Sequence, residues 1–411
     1  MRVAIIAEVF LPKIDGVVNR TVQLIRQLVR CDDQVLVACP RAEGSRACGV
    51  PVVECRSFPF PPYPEYRIGL PDKHLVKEVG QFAPDVLHFV NPFAFGFRCY
   101  DALRRAGLRL PTVFSFHTLY GEFVKQYRAL KPLSKVLWWM TREYHNRADV
   151  NVTVSAIMQE DLARRGFRRV RCWPPAVDGR LFHPGRRSAA LRERLTGGRP
   201  EKPLLLTVSR LAPEKNVGFL AGVLKQAPGA CLAVVGDGPQ RAELEQRFAG
   251  TDTQFVGYLK GEELAAAYAS ADAFVYASET ETMGNVVLEA LACGCPVVAP
   301  RAGGIPNLVE HGRTGLLYAP GDLGDAGRLT RAVLGDAALR ARLGRAGREA
   351  VETWDWEHSV GRVRQFYAEA IAACRPAPAK RTWGQRSAGV VTAALVSAFR
   401  ARAAVGRRRA R

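Results

Sequence analysis

One pattern constrains this chain more than any other: short apolar runs alternate with helical segments, and the series runs twice. Arg2–Ala7, Gln34–Ala38, Pro84–Phe89, Thr112–Phe116 and Asn151–Val154 make the first series, with a helix-like Thr21–Val29 behind a loop holding Asp15 and Gly16. Apolar residues fill both faces of several runs, the mark of buried parallel strands. A Gly-, Pro- and Arg-rich stretch from Pro174 to Pro203 intervenes. The pattern restarts with Leu204–Val208, Cys231–Val235, Thr253–Val256, Ala273–Tyr276 and Pro296–Val298. Alternating β and α predicts parallel sheets covered by helices on both faces. Two such series predict an α/β chain of two Rossmann-like, doubly wound lobes with a cleft: residues 1–185 and 186–353, closing helices over 354–374, and a tail over 375–411.

Composition narrows the class. With 411 residues, 48% hydrophobic and 24% charged, the chain is globular and large enough for two cores. No apolar run reaches the ~18–20 residues that span a bilayer. Glu8 breaks the apolar N-terminus and Pro12 follows without a cleavage site, so a first strand is expected there, not a signal peptide. The ten cysteines form no C-x-x-C pair and there is no H-E-x-x-H, which gives zinc no support. Reduced thiols in a cytoplasmic protein are expected. The net charge of +20 is uneven. Residues 1–185 hold 27 Lys/Arg against 17 Asp/Glu, residues 186–374 are neutral at 22 against 22, and the tail has ten basic groups and no acid.

Three motifs follow strands in the second half. In Ser278-Glu279-Thr280-Glu281-Thr282-Met283-Gly284-Asn285-Val286-Val287-Leu288-Glu289, a loop around Gly284 feeds a helix whose N-terminal amides attract anions. Glu281 and Glu289 could then hold hydroxyls of two different rings, such as a sugar and a ribose. The alternative is an ordinary acidic helix start, against which stands the apolar company of Glu289. In Val208-Ser209-Arg210-Leu211-Ala212-Pro213-Glu214-Lys215-Asn216, Arg210 and Lys215 suit a diphosphate, one as a planar fork and one as a point charge. Gly303-Gly304 either admits phosphates closely or simply turns the chain. Val235-Gly236-Asp237-Gly238-Pro239 is half a dinucleotide fingerprint, with Arg241 at the third glycine position, which argues against NAD. In the first half, Asp15-Gly16-Val17 could set a backbone N–H against a phosphate. His117 is the candidate catalytic histidine, with a buried structural role as the alternative.

Together these residues resemble a retaining glycosyltransferase of family 4 with the two-lobed GT-B fold. The E-x7-E pattern is Glu281 and Glu289, the Arg/Lys pair is Arg210 and Lys215, and the N-lobe glycine is Gly16. The resemblance spans Met1 to about Cys374. Pro59–Glu65, Pro84–Asn91, Glu201-Lys202-Pro203 and Gly303–Pro306 are similar to a subgroup of sulfoquinovosyl-diacylglycerol synthases and GDP-mannose-dependent α-mannosyltransferases. The resemblance implies a UDP- or GDP-sugar donor held mainly by the second lobe. Arg210 and Lys215 would bind the diphosphate, Glu281 the transferred sugar and Glu289 the ribose, with Gly16, Gly236, Met283, Gly284 and Asn285 around the donor. Gly257-Tyr258-Leu259 would meet the base largely by backbone, His117 would lie near sugar and acceptor, and helices near Trp354–Ala370 would cross back onto the first lobe. Two departures bear on the sugar and acceptor. His117-Thr118-Leu119-Tyr120 lacks the second histidine of related sulfoquinovosyltransferases, and Pro174-Pro175-Ala176 replaces the usual Arg-Gly or Lys-Gly before Val177-Asp178.

The implied reaction transfers the sugar with retention, and fixed cations rather than a metal stabilise the leaving diphosphate. No cofactor is expected. The basic first lobe and tail fit an anionic membrane surface and a lipid acceptor, with the protein peripheral at the cytoplasmic face. Phe123–Arg147 mixes cations with Trp138, Trp139 and Met140, as interfacial segments do, although both tryptophans also suit a core. The tail stretch Ser387–Phe399 is a second candidate anchor. Two rival functions are a GT-B-fold nucleotide-sugar epimerase, needing no acceptor, and a basic nucleic-acid binder, which is not expected.

Overall fold

A computed structural model describes residues 1–13, 15–60, 63–118, 132 and 134–374, the side chains of residues 63–65 excepted. Much of Phe123–Arg147 and the whole 375–411 tail, with its Ser387–Phe399 stretch, lie outside the described residues. The chain divides into two compact units. Among the described residues, the first comprises those of 1–154, 159–173 and 356–374; the second comprises 155–158 and 174–355. The division thus falls at Trp173/Pro174, earlier than 185/186. Phe182 sets its ring edge-on to Tyr268 at 6.1 Å, and the Arg348 guanidinium donates to the Phe182 carbonyl at 3.0 Å, so this stretch packs with the second unit.

The first unit holds strands β1 (Arg2–Ala7), β2 (Gln34–Cys39), β3 (Arg46–Ala47), β4 (Val50–Glu54), β5 (Ser57–Phe60), β6 (Tyr63–Gly69), β7 (Val86–Val90), β8 (Thr112–Phe116), β9 (Val150–Thr153) and β10 (Val170–Cys172). Its main sheet runs β10-β9-β8-β7-β1-β2-β4-β3, parallel except for β3 against β4. Helices are α1 (Gly16–Arg30), α2 (Lys73–Phe82), α3 (Ala94–Arg105), α4 (Ser134–His145) and α5 (Ala156–Arg164), the first residues of α5 up to Met158 being counted with the second unit. Alternate residues of β1 point to opposite faces. Val3 and Ile5 pack with Leu24 and Ile25 of α1, while Ala4 and Ile6 pack with residues of α2, α3 and α4 such as Leu75, Phe97 and Tyr144. The prolines at 51, 59, 61, 62 and 64 hide β4 and the β5–β6 hairpin from pattern reading, because proline reads as loop.

Glu8, the residue that breaks the first apolar run, is 1% exposed. Its carboxylate accepts from the backbone N–H groups of Phe93, Phe95 and Gly96 at 2.8, 2.9 and 2.8 Å and from the Tyr66 hydroxyl. It therefore caps α3 from a distant strand, where Phe93 at the N-cap position has no capping side chain. Burial nevertheless pushes its carboxyl up, outweighing those hydrogen bonds. Gly96 is required here, since a Cβ would sit 2.6 Å from Pro92 Cβ.

The second unit holds β11 (Leu204–Val208), β12 (Cys231–Val235), β13 (Thr253–Gly257), β14 (Ala273–Val275), β15 (Val297–Pro300) and β16 (Leu316–Tyr318), all parallel in the order β13-β12-β11-β14-β15-β16. Its helices are α6 (Ala189–Leu195), α7 (Leu220–Lys225), α8 (Arg241–Arg247), α9 (Gly261–Ser270), α10 (Asn285–Ala292), α11 (Leu323–Gly335) and α12 (Ala337–Val351). The last helix, α13 (Trp356–Ala373), belongs to the first unit. There Val360, Val363 and Phe366 join the α1 face of the core, the Tyr367 hydroxyl meets His88 Nδ1 at 2.7 Å, and Trp173 Nε1 donates to Ser359 Oγ at 2.8 Å.

Candidate active site

Four loops leave the C-terminal ends of β12, β11, β14 and β15, neighbours in that order, and glycines pack them edge to edge. Ser209 N donates to Val235 O and Leu211 N to Asp237 O, both at 3.0 Å. This approach needs Gly236, at φ +126°, because a Cβ would lie 1.9 Å from Ser209 O; one on Gly238 would lie 2.4 Å from Leu211 O. On the other flank Gly304 N donates to Glu281 O at 2.7 Å. A Cβ on Gly303 would lie 2.2 Å from Glu281 O, and one on Gly304 2.4 Å from Thr282 O. The glycine pairs thus hold the motif loops against each other. In the middle, Ser278 Oγ and Thr280 Oγ1 donate to Glu214 O at 3.3 and 3.4 Å.

This packing brings two predicted side chains together, Lys215 and Glu281, with Arg210 on the same loop as Lys215. Lys215 Nζ lies 2.5 Å from Glu281 Oε1, the Tyr276 hydroxyl donates to the same oxygen at 2.7 Å, and Arg210 pairs with Glu214 at 3.6 Å. Burial alone would raise the Glu281 carboxyl. The Lys215 charge, with hydrogen bonds from Lys215, Tyr276 and Ser278, outweighs it and holds the carboxyl below its ordinary value. Glu281 is therefore an ionised acceptor. Glu289, one helix turn into α10, has a separate partner: the Tyr268 hydroxyl donates to its Oε2 at 2.9 Å. Burial pushes its carboxyl up to about 7, against that hydrogen bond. Gly284, at φ +97°, precedes α10 with no side-chain cap, and Asn285 is the first helical residue. Met283 and Leu259 are buried, so what they offer a ligand is backbone.

Two predicted residues lie in the first unit. His117 is 6% exposed; its Nε2 pairs with Ser115 Oγ at 2.9 Å and its ring stands edge-on to Trp173. Burial, then the charges of Arg20 and His88, push its pKa well down, so it is a neutral imidazole. Gly16 is exposed at the start of α1, where Asp15 Oδ1 accepts from Val18 N at 2.9 Å. Trp138 is half-buried, stacked on Phe116 and covered by the Arg165 guanidinium at 4.1 Å. Sequence reasoning missed Tyr276, Tyr268 and Glu214 as parts of the site. Nothing in a tyrosine at a strand end tells where its hydroxyl reaches.

The glycosyltransferase family 4 model matches residues 14–180, and the model of glycosyl transferases group 1 matches residues 202–336. The GDP-mannose-dependent alpha-mannosyltransferase of Mycobacterium tuberculosis is 38% identical over 365 residues, 87% of this chain and 93% of that protein. The chain belongs to glycosyltransferase family 4. This family 4 glycosyltransferase is also 38% identical to sulfoquinovosyl transferase SQD2 of Arabidopsis thaliana, over 87% of this chain and 71% of that protein. It is 24% identical to the alpha-monoglucosyldiacylglycerol synthase of Acholeplasma laidlawii over 77% and 85%. Anabaena HepE, solved with UDP and glucose, superposes with a TM-score of 0.73 at 22% identity, covering 90% of this chain and 99% of that one. The fold is GT-B. Among the described residues no group of His, Cys, Asp and Glu could hold a metal ion, and no helix is long and apolar enough to cross a membrane.

Proposed function

We propose that this glycosyltransferase, which takes its sugar from a nucleotide sugar, moves a hexosyl group from a UDP- or GDP-linked donor to a hydroxyl of a membrane lipid with retention of configuration. The observation that carries this reading is the meeting of Lys215 with a Glu281 carboxylate oxygen, with Arg210 on the same loop as Lys215. In the reaction the bond from the anomeric carbon to the β-phosphate oxygen breaks and a bond from that carbon to the acceptor oxygen forms on the same face. The departing phosphate oxygen takes the acceptor's proton. Arg210, Lys215 and the N-terminal amides of α10 stabilise the charge growing on the diphosphate, without a metal. Glu281 accepts from hydroxyls of the transferred sugar and Glu289 from the ribose. A neutral His117 is fit to donate or accept one hydrogen bond, not to act as a cation.

The lipid acceptor is supported by the basic first half and tail and by the names of relatives, one of them a glucosyldiacylglycerol synthase. Attachment at the membrane surface through the first unit and tail belongs to the same reading. The test incubates the protein with UDP- and GDP-sugars and membrane lipid extract, with and without EDTA, and follows new glycolipid by mass spectrometry. Product with an α-linkage from an α-linked donor, abolished by Arg210→Ala and Glu281→Ala and indifferent to EDTA, is expected. Donor turnover without any acceptor product would favour an epimerase instead, and an active Arg210→Ala would overturn the phosphate assignment.

A further inference from the structure

Tyr276 lies just beyond β14, 2% exposed, and its main chain is fixed on both sides. Its N–H donates to Val298 O at 2.9 Å, and its carbonyl accepts from the Tyr318 hydroxyl at 2.6 Å. Its ring stacks on Phe274 with centroids 5.6 Å apart. Phenylalanine would fill this volume equally well, so the packing does not account for the hydroxyl. The hydroxyl reaches out of the core to Glu281 Oε1, the oxygen that Lys215 also holds.

Lys215 and Tyr276, which together with Ser278 hold Glu281, differ in what a donor does to them. A diphosphate competes with Glu281 for the Lys215 ammonium, and a carboxylate losing its counter-charge in a half-buried site is destabilised and free to turn. The tyrosine hydroxyl, on a strand end whose main chain is hydrogen-bonded on both sides, carries no positive charge for a diphosphate to draw away. Burial and the Glu281 charge raise its own pKa well above the usual phenol value, so it remains a donor.

We propose that Tyr276 is a positioning residue that keeps the Glu281 carboxylate oriented toward the transferred sugar while Lys215 turns to the diphosphate. This rests on the assignment of Glu281 to the sugar hydroxyls.

The full chain carrying Tyr276→Phe is compared with the parent, Glu281→Gln and the double variant, using whichever UDP- or GDP-sugar gives the highest turnover. A hydrogen bond to a charged group is worth about tenfold to 100-fold. The loss is expected in kcat, with KM and the affinities for UDP and GDP changed less than about threefold. Tyr276→Phe/Glu281→Gln is expected to be no slower than Glu281→Gln. Substitution of 3-fluorotyrosine at 276, which keeps a hydroxyl in place, should restore turnover and guards against a folding defect in Tyr276→Phe. Parental kcat in Tyr276→Phe beside an impaired Glu281→Gln would sink the positioning role alone, as would losses that multiply in the double variant or a 3-fluorotyrosine protein as slow as the phenylalanine one. A fully active Glu281→Gln would overturn the sugar assignment beneath it.

Discussion

Lys215 Nζ and Glu281 Oε1 stand 2.5 Å apart although 66 residues separate them. The contact exists because β11 and β14 are adjacent parallel strands, so the loops beyond their C-terminal ends meet, as ligand-binding loops of open α/β sheets do. The cation and the carboxylate neutralise each other. On the proposed assignment, a diphosphate competes with Glu281 for Lys215 and with Glu214 for Arg210.

Removal of these cations should be costly in proportion. Arg210→Ala and Lys215→Ala are each expected to weaken UDP or GDP binding about tenfold to 100-fold, the range for charge-assisted hydrogen bonds. Titration calorimetry checks this, and a variant that binds as tightly as the parent would place the diphosphate elsewhere. Glu214→Gln, which frees Arg210 from its anion, should tighten binding.

Glu289 gives a pH dependence with a definite sign. Its carboxyl is raised from 4.5 to about 7 in the folded protein, so the fold binds this proton more tightly than the unfolded chain does. The associated stability is fully present below pH 4.5 and is lost as pH rises through 7. If Glu289 accepts from the ribose as proposed, the ionised form is the stronger acceptor, so nucleotide affinity should rise as pH passes from 6 to 8. Glu289→Gln should flatten both trends, read by calorimetry and by melting temperature across that range.

Glu8 carries the start of α3. Glu8→Ala leaves three buried backbone N–H groups without their carboxylate, and a destabilisation of about 3 kcal/mol or more is expected. Denaturant unfolding measures it. A loss below about 1 kcal/mol would mean that the N–H groups find other partners.

The glycines that pack the loops should be intolerant of a single methyl. Gly236→Ala combines φ +126° with a Cβ 1.9 Å from Ser209 O, which forces the Arg210 loop outward at a cost of about 1–3 kcal/mol. Turnover should fall further than the stability change alone explains. Gly250→Ala is the control for strain: φ is +75° there, but nothing lies within 4 Å of the added atom.

Much of this protein was legible in the sequence. Thr112–Phe116, Leu204–Val208 and Cys231–Val235 are strands with the predicted bounds, because a buried parallel strand is an unbroken apolar run and its local composition suffices to mark it. The E-x7-E spacing and the Arg/Lys pair carried the resemblance to the family, and both follow strands directly, with cations that suit a diphosphate and carboxylates that suit sugar hydroxyls. What tertiary structure alone decided is which groups face which. Tyr276 reaches Glu281, Tyr268 reaches Glu289, Glu8 reaches α3 from 85 residues away, and Gly303-Gly304 serves a neighbouring loop. Strand order sets those meetings, and order depends on how helices cover two faces of a sheet, a long-range packing choice that no window of sequence contains.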